Sequence, residues 1–375
     1  MQHLPPNHAN NSDGNFYGTT PYGGTDELGT VFRISPDGTL TNLYSFPSPG
    51  GIYSHSLDPS GLVQGGDGYF YGTTDYGGAG DAGTVFKTSA AGALTTLYSF
   101  TNVGFYYDYT SGPKGLVRGS DGNFYGTTVG REDAGTVFKI SAAGALTRLY
   151  SFTGGNDGAY PYAALVQGSN GNFYGTTLTG GTNGGYGTVF KISADGALTT
   201  LHSFSGRPDG AYPHAKLVQG GDGYFYGVTS GVNPYGENYG SGTVFKMSAA
   251  GVLTTLYSFT GGNDGANANG LVQGSDGSFY GTAYGGGEGG AGTVFRLAVV
   301  PAAPAFQTVA LRNGTLSLAW SAEAGGRYQL QYTSELSSGN WTNVGSTLTA
   351  TGATLSATDF VSNGPRRFYR MLVLP

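Results

Sequence analysis

The chain has 375 residues, is dominated by 70 glycines, and carries 28 tyrosines and 21 phenylalanines. Charged residues make up only 11% and the net charge is −6, so no basic surface exists to neutralise the phosphates of a nucleic acid. Cysteine is absent, which excludes disulfides and thiolate metal sites, and no apolar run of about 18 residues could span a membrane.

One stretch recurs six times and organises the chain. Its cleanest copy, residues 164–204, reads ALVQGSNGNFYGTT, a variable insert, and GTVFKISADGALTTLHSF. A repeat of about 50 residues decides the architecture before any other feature. The Phe of the F-Y-G triplet marks the copies at Phe16, Phe70, Phe124, Phe173, Phe225 and Phe279.

Each copy contains four strand candidates, rich in β-branched and aromatic residues and bounded by Gly, Asp, Asn or Ser. In chain order they are L-V-Q-G (62–65), F-Y-G-T-T (70–74), G-T-V-F-K-I (187–192) and L-T-T-L-Y-S-F (94–100), quoted from the copies that show them best. The spacing predicts short strands separated by turns or loops, with no helix.

The connections between these strands are of two kinds. Asp-Gly, as at Asp67-Gly68, joins the first and second strands, and a segment containing Gly92 or its equivalent joins the third and fourth. Both are tight turns, because Gly adopts positive φ without strain, so neighbouring strands are antiparallel. The other two connections vary from copy to copy. A four-stranded meander therefore has constant turns at one end and variable loops at the other.

The sequence predicts an all-β fold, with a six-bladed β-propeller of four-stranded antiparallel blades over residues 1–297. A parallel β-helix is the alternative, but its coils need wide bends instead of Asp-Gly hairpins. The first copy has a polar segment where its first strand should be, and the last copy lacks a fourth strand. Either the termini supply the missing strands, the C-terminal part covers the gap, or a neighbouring molecule donates a strand.

The composition changes after a Pro/Ala linker at residues 298–305. Residues 306–375 contain both tryptophans and short alternations of apolar and polar residues, which predict a small immunoglobulin-like β-sandwich. We expect Trp320 and Trp341 in its core, and not on a sugar-stacking surface.

The repeat LVQGSDGNFYGTT…GTVFKIS…GALTTLYSF resembles the GloVer tandem repeats of exported bacterial proteins. The stretch from WSAEAGGRYQLQYTSELSSGNWTNVG to RRFYRMLVLP resembles a C-terminal module of large secreted bacterial proteins, similar to an immunoglobulin or fibronectin type III domain. The resemblance implies an extracellular or cell-surface location and brings no catalytic motif. No signal peptide is present in this numbering, and an apolar sorting tail is also missing, so membrane anchoring is not expected.

We predict no metal site and no cofactor. The histidines have no second histidine or carboxylate at ligand spacing, and His202 replaces the Tyr of L-Y-S-F, which indicates a strand position. The N-D-G loops, such as Asn156-Asp157-Gly158, offer one carboxylate each, whereas calcium takes about six to eight oxygen ligands. A turn is the favoured interpretation of these loops.

We expect no enzymatic activity, because glycoside hydrolysis needs two carboxylates close together and no acid pair or nucleophile motif is present. A glycan-active enzyme is nevertheless an alternative, since acids in the variable loops could converge in the fold. These acids are Asp26, Glu27, Asp75, Asp81, Asp108, Glu132, Asp133, Glu237 and Glu288.

Tyrosine recurs in the variable loops, and its rigid ring with a polar tip suits the recognition of sugars or proteins. The alternative is that these rings only close the end of a glycine-rich fold. The predicted ligand-binding residues are Tyr22, Tyr53, Tyr76, Tyr106, Tyr107, Tyr109, Tyr160, Tyr212, Tyr235 and Tyr239.

These features predict a non-catalytic extracellular recognition or scaffolding protein that acts through its variable loops. Its partner would be an extracellular glycan or protein, or a second copy of the chain. Two alternatives are a structural protomer of an extracellular filament, built by strand donation or head-to-tail domain contact, and the glycan-active enzyme.

Overall fold

The computed structural model is almost entirely β-structure. It contains one short 3₁₀ helix, Leu336–Ser338, within the residues that it describes. No helix in those residues has both the length and the hydropathy needed to cross a bilayer. The described residues are 8–10, 13–48, 57–101, 112–130, 134–206, 208–232, 236, 240–298, 304–322, 326–352, 354–361 and 366–374.

The chain divides into two compact units. One comprises Met1–Val218, Tyr226–Leu271 and Gly281–Phe295. The other comprises Gln219–Phe225, Val272–Tyr280 and Arg296–Pro375.

Each copy of the repeat forms one antiparallel sheet whose strands follow chain order. The first strands are β1 (His8–Asn10), β5 (Val63–Gln64), β9 (Gly112–Arg118), β13 (Val166–Gln167), β17 (Val218–Gln219) and β21 (Ala266–Gln273). The second strands, which carry F-Y-G, are β2 (Phe16–Thr20), β6 (Phe70–Thr74), β10 (Phe124–Val129), β14 (Phe173–Thr177), β18 (Phe225–Thr229) and β22 (Phe279–Gly285).

The remaining strands of the repeat carry T-V-F and L-T-T-L-Y-S. The third strands are β3 (Thr30–Ile34), β7 (Thr84–Thr88), β11 (Thr136–Ile140), β15 (Thr188–Ile192), β19 (Thr243–Met247) and β23 (Thr293–Leu297). The fourth strands are β4 (Leu40–Ser45), β8 (Leu94–Ser99), β12 (Leu146–Ser151), β16 (Leu198–Ser203) and β20 (Leu253–Ser258).

The first and last sheets differ from the other four. In the first sheet, the polar segment of β1 pairs with β2 and supplies the strand that the sequence pattern lacks. In the sixth sheet, β21, β22 and β23 pair without a fourth strand among the described residues. As a result, Val294 of β23 is 81% exposed, whereas its equivalent Val244 is 1% exposed under a fourth strand.

The strand register places the constant turns at one end of each sheet. In the second sheet, Phe70 pairs with Gln64 on one side and Thr88 on the other, next to both constant turns. At the other end of β6, Thr74 pairs with Thr84 across the variable loop. The constant turns and the variable loops therefore lie at opposite ends, as the sequence predicts.

The F-Y-G triplet joins each sheet to its neighbours. Successive side chains of a strand point to opposite faces, so the Tyr of one triplet can reach the Phe of the next triplet. These rings stack with interplanar angles of 24°, 26° and 27° in the first three junctions. The centroid distances are 4.2 Å for Tyr17–Phe70, 4.0 Å for Tyr71–Phe124 and 3.9 Å for Tyr125–Phe173.

A second aromatic contact accompanies this stacking. The Phe that follows L-Y-S packs edge-on against the Phe of T-V-F in the next sheet, which is the favoured geometry for two such rings. The pairs are Phe46–Phe86, Phe100–Phe138, Phe152–Phe190, Phe204–Phe245 and Phe259–Phe295.

The Gly of F-Y-G is required because an aromatic ring covers it. A Cβ on Gly126 would lie 2.6 Å from Cζ of Phe138 and 2.8 Å from the carbonyl oxygen of Gly115. Gly72 faces Phe86 in the same way, at 2.7 Å. The triplet thus combines two rings that bind neighbouring sheets with a position that admits no side chain.

The C-terminal strands form two sheets that share one core. The sheets are β24–β25–β29 and β27–β26–β28, with β30 beside β26. The strands are β24 (Phe306–Arg312), β25 (Thr315–Ser321), β26 (Arg327–Thr333), β27 (Thr342–Asn343), β28 (Leu348–Thr349), β29 (Thr354–Phe360) and β30 (Phe368–Leu374).

Trp320 is fully buried in this core, where it packs with Leu318 of its own sheet and Tyr328 of the other. Trp341 was also expected in the core but is only half-buried, with the guanidinium of Arg370 4.2 Å from its ring centroid. It follows β26 in a loop, so its ring covers the surface of the sheet.

Candidate functional site

Four of the ten tyrosines predicted to bind a ligand are described. Tyr22 is 64% exposed, Tyr76 and Tyr212 are buried, and Tyr160 is half-buried. Tyr160 and Tyr212 both have positive φ, 58° and 59°, and occupy equivalent positions in successive loops. Outside the described residues lie Tyr53, Tyr106, Tyr107, Tyr109, Tyr235 and Tyr239.

The acids of the variable loops have different roles. Asp26 Oδ2 accepts a hydrogen bond from the backbone N–H of Ser48, and Asp81 Oδ1 accepts one from Gly77, so both carboxylates hold their own loops. Asp75 instead forms an ion pair with Lys114 of the next sheet. Glu27 and Glu288 are exposed. Asp108, Glu132, Asp133 and Glu237 lie outside the described residues.

A shared position at the variable-loop end collects polar side chains from five consecutive sheets. It follows a proline that leads into the first strand, or Ala268 in the sixth sheet. We call the residues there, together with Asp75 and Lys216, the first-strand cluster. Its members are Ser60, Asp75, Lys114, Tyr162, His214, Lys216 and Asn269.

The repeat explains why these positions are brought together. The Thr after F-Y-G donates its hydroxyl hydrogen to a backbone carbonyl of the next first strand, as from Thr19 to Ser60 at 3.0 Å and from Thr73 to Pro113 at 3.2 Å. A Cβ on Gly115 would lie 3.0 Å from Cβ of Ala164. Successive first strands therefore run close beside one another.

Asp75 and Lys114 form the charged part of the cluster. Their side chains are 15% and 12% exposed, and the ammonium of Lys114 also lies 5.6 Å from the ring centroid of Tyr162. Burial raises the pKa of Asp75 above its usual range, although the Lys114 charge opposes this, and the charge of nearby Asp58 adds to it. Asp75 is therefore a carboxyl group that holds a proton more readily than an exposed one.

His214 is shifted in the opposite sense. Burial lowers the pKa of its imidazole, while hydrogen bonds with the backbone of Tyr212 and the side chain of Asn269 act against the shift. An unperturbed histidine titrates near pH 6.5, so His214 is neutral at neutral pH. A neutral imidazole is able to accept a proton from a bound molecule.

Lys216 lies two residues after His214 and is exposed to solvent. The surrounding protein nevertheless lowers the pKa of its ammonium. Exposure combined with an effect of burial is expected for a side chain in a concave part of the surface, open to solvent and flanked by protein.

A second concave region, of about 570 Å³, lies where the third and fourth sheets meet, and His202 lines it together with Tyr150 and Asp157. His202 Nε2 lies 2.8 Å from Asp209 Oδ2, and in the preceding copy the Tyr150 hydroxyl donates to Asp157 at 3.0 Å. His202 thus occupies the strand position that the sequence predicts. It replaces a tyrosine as the partner of the loop carboxylate.

The N-D-G loops have no metal-binding geometry. Both carboxylate oxygens of Asp157 accept hydrogen bonds from Thr153, one from its backbone N–H and one from its hydroxyl. Across the described residues, no group of three His, Cys, Asp or Glu side chains could hold a metal ion.

Sequence reasoning missed the first-strand cluster as a whole, although it included Asp75 among the candidate acids. The available signal was a proline followed by a variable polar residue, as in Pro113-Lys114, Pro161-Tyr162 and Pro213-His214. Loops of unequal length conceal this alignment, since the register is clear only from the strand that follows.

The model of the Gloeobacter/Verrucomicrobia repeat family matches residues 2–167 and 112–317. No relative was found among curated proteins. The fold is similar to that of a periplasmic gluconolactonase from Pseudomonas aeruginosa, with 16% identity, a TM-score of 0.47, and coverage of 94% of this chain and 98% of that chain.

Two further solved structures are similar. An aldose sugar dehydrogenase from Streptomyces coelicolor has 14% identity and a TM-score of 0.48, with 79% of this chain and 94% of that chain covered. An ulvan lyase of a polysaccharide lyase family has 9% identity and a TM-score of 0.46, with 85% and 90% covered. These likenesses concern the arrangement of strands and assign no reaction to this chain.

The expectation of a non-catalytic recognition or scaffolding protein is corrected here. The solved structures similar to this chain are enzymes, among them a gluconolactonase, a sugar dehydrogenase and a polysaccharide lyase. The expectation rested on the lack of an acid pair or nucleophile motif in the sequence. Burial shifts the pKa values of Asp75 and His214, which no local motif reveals.

Proposed function

The chain belongs to the Gloeobacter/Verrucomicrobia repeat family, as the resemblance of its repeats indicates, and we propose that it is a glycan-active enzyme whose active site is the first-strand cluster. The observation that carries this proposal is the convergence of polar side chains from five consecutive sheets, among them Lys114, Tyr162 and His214. A convergence of ionisable groups with shifted pKa values is typical of catalytic sites.

The proposed architecture is a six-bladed propeller over residues 1–297, with the first strands innermost. A Pro/Ala linker at residues 298–305 leads to an immunoglobulin-like sandwich over residues 306–375, and the protein is exported to an extracellular setting. The six antiparallel sheets and the close approach of successive first strands support the propeller. In that arrangement the variable loops surround the cluster, and the ten tyrosines predicted from the sequence contact the glycan there.

The proposed reaction is hydrolysis of a sugar–oxygen bond. His214 takes a proton from water, the water oxygen bonds to the sugar carbon, and the leaving oxygen receives a proton from the Asp75 carboxyl. Environments that shift two titratable groups in opposite directions suit them to act as acid and base. When Asp75 releases its proton, the ammonium of Lys114 stabilises the new carboxylate, since the two side chains already form an ion pair.

The test is turnover by the purified chain on a panel of polysaccharides and sugar lactones, followed by mass spectrometry of the products. We expect Asp75→Asn and His214→Gln each to lower kcat by about 100-fold or more, the usual range for losing an acid or base. Asp37→Asn is the matched control, because Asp37 lies in the constant turn between β3 and β4 and is exposed.

Two outcomes would contradict the proposal. A panel that gives no product with the folded protein would remove the enzymatic function. Turnover that survives both substitutions unchanged would show that the reaction takes place elsewhere in the chain. Circular dichroism of each variant separates loss of chemistry from loss of fold.

A further inference from the structure

Lys216 is a cation without a partner in a chain that is net acidic. Among the described residues, its ammonium forms no ion pair or cation–π contact, and burial alone accounts for its lowered pKa. The chain has 23 acidic and 17 basic residues, so counter-ions are not scarce. Protein around an unpaired ammonium is unfavourable unless a ligand supplies the opposite charge.

Other lysines of the repeat lie in different surroundings. Lys87 lies 4.9 Å from the ring centroid of Tyr69 and close enough to Asp67 to lower the pKa of that carboxyl. Lys139 does the same for Asp121. These third-strand lysines are neutralised by the hairpin acids, which the first strands do not have.

The charges of the first-strand cluster leave one positive charge uncompensated. Asp75 and Lys114 neutralise each other, and His214 is neutral at neutral pH. Tyr162 and Asn269 add an aromatic ring and an amide, which suit the hydroxyl and ring faces of a sugar. Lys216 is therefore the group that would discriminate between a charged and an uncharged sugar.

We propose that the first-strand cluster binds an acidic sugar, with the ammonium of Lys216 paired to the anionic group of the ligand. This inference rests on the proposed function in taking the cluster as the sugar site. An ammonium is a compact point charge with three donors, so either a carboxylate or a sulfate ester would satisfy it.

Binding of single sugars, measured by calorimetry or ligand-observed NMR on the full chain, tests the inference without any turnover. The probes are sodium glucuronate, glucose 6-sulfate, glucose and inorganic sulfate. We expect the two acidic sugars to bind at least about tenfold more tightly than glucose, which corresponds to about 1.4 kcal/mol. Preference for glucuronate over glucose 6-sulfate, or the reverse, identifies the anionic group.

Two variants assign the effect to Lys216. Lys216→Met should remove the preference for acidic sugars, and Lys216→Arg should retain most of it. Lys191→Met is the control, since it makes the same change on the third strand β15, outside the cluster. Raising the salt concentration should weaken glucuronate binding by the wild-type chain, because ions screen an exposed charge pair.

The inference is overturned if glucose and glucuronate bind equally, if neither binds, or if inorganic sulfate binds as tightly as the acidic sugars. It is also overturned if Lys216→Met retains the preference. Turnover of neutral glycans alone would leave the proposed enzyme standing and reject the acidic substrate. Binding of glucuronate without turnover of any glycan would do the opposite.

Discussion

Tyr71 stacks on Phe124 of the next sheet with 4.0 Å between the ring centroids, while its hydroxyl donates a hydrogen bond to Asp67 at 2.6 Å. The same residue thus links two sheets through its ring and fastens a hairpin through its oxygen. Tyr125 repeats both contacts with Phe173 and Asp121. Each junction therefore has a hydrophobic and a polar part that can be removed separately.

Removing the polar part should cost less than removing the ring. Tyr71→Phe keeps the stacking and loses one hydrogen bond to a carboxylate, so we expect a loss of about 1.5 to 3 kcal/mol in the free energy of unfolding. Phe124→Ala leaves a cavity and should cost about 3 to 5 kcal/mol. Urea denaturation measures both. Tyr69→Phe, at a partly exposed ring in the same hairpin, is the control and should change little.

A methyl group at Gly126 should destabilise the third sheet. Its Cβ would lie 2.6 Å from Phe138, so Gly126→Ala should cost about 1 to 3 kcal/mol through overpacking. Gly221→Ala is the matched control, because a Cβ there meets nothing within 4 Å and its φ is not positive. Thermal unfolding compares the two. Equal effects would contradict the role of the ring in requiring glycine.

The missing fourth strand of the sixth sheet makes two equivalent valines unequal. Val244→Ala removes a buried side chain and should cost about 1 to 3 kcal/mol. Val294→Ala removes an exposed one and should stay within about 0.5 kcal/mol. Denaturant unfolding of both variants gives the comparison. A large cost at Val294 would mean that another segment covers this strand.

Stability should depend on the ionisation of Asp157 below about pH 4. Partial burial raises the pKa of this carboxyl, but hydrogen bonds from Thr153 and Tyr150 together bring it below its usual range. An unfolded aspartic acid titrates near pH 4, so the stabilisation is complete above that value and is lost as the pH falls through the lower, folded pKa.

Asp157→Asn removes this titration, and its deficit in unfolding free energy relative to the wild type should shrink between about pH 5 and pH 3. Denaturant midpoints at a series of pH values measure the deficit. Asp222→Asn, at a constant turn, is a comparison that leaves the Asp157 loop intact. A deficit that is constant with pH would contradict the assignment.

His214 should introduce a second dependence on pH. Because burial lowers its pKa, the unfolded chain takes up the proton first, near pH 6.5. Stability is then complete above about pH 6.5 and falls as the pH decreases towards the folded pKa. His214→Gln should remove this slope. NMR titration of the imidazole protons should give a midpoint below 6.5, with His202→Tyr as a variant that simplifies the spectrum.

The strands of the repeat were predictable because local signals agree. β6 spans Phe70–Thr74 as predicted, since its β-branched and aromatic residues are bounded by the Asp67-Gly68 turn and a loop. The second role of Asp67, as acceptor for Tyr71, was not predicted. Asp before Gly is explained by the turn alone, so nothing in the sequence demands a further partner.

The candidate site was less predictable, since its members come from loops of different copies. The interpretation of His214 as a loop residue without ligand spacing was correct locally. It could not anticipate that Asn269, more than 50 residues later, would bond to it. The shifts in pKa arise from burial, which depends on how successive sheets approach one another.

The stacking of each F-Y-G tyrosine on the next phenylalanine has a consequence for how such chains diversify. Because the donor and acceptor surfaces are nearly identical from copy to copy, duplication or recombination of whole repeats preserves every junction. Selection can then alter the residues that follow the prolines, as Lys114, Tyr162 and His214 already differ, without disturbing the framework that presents them.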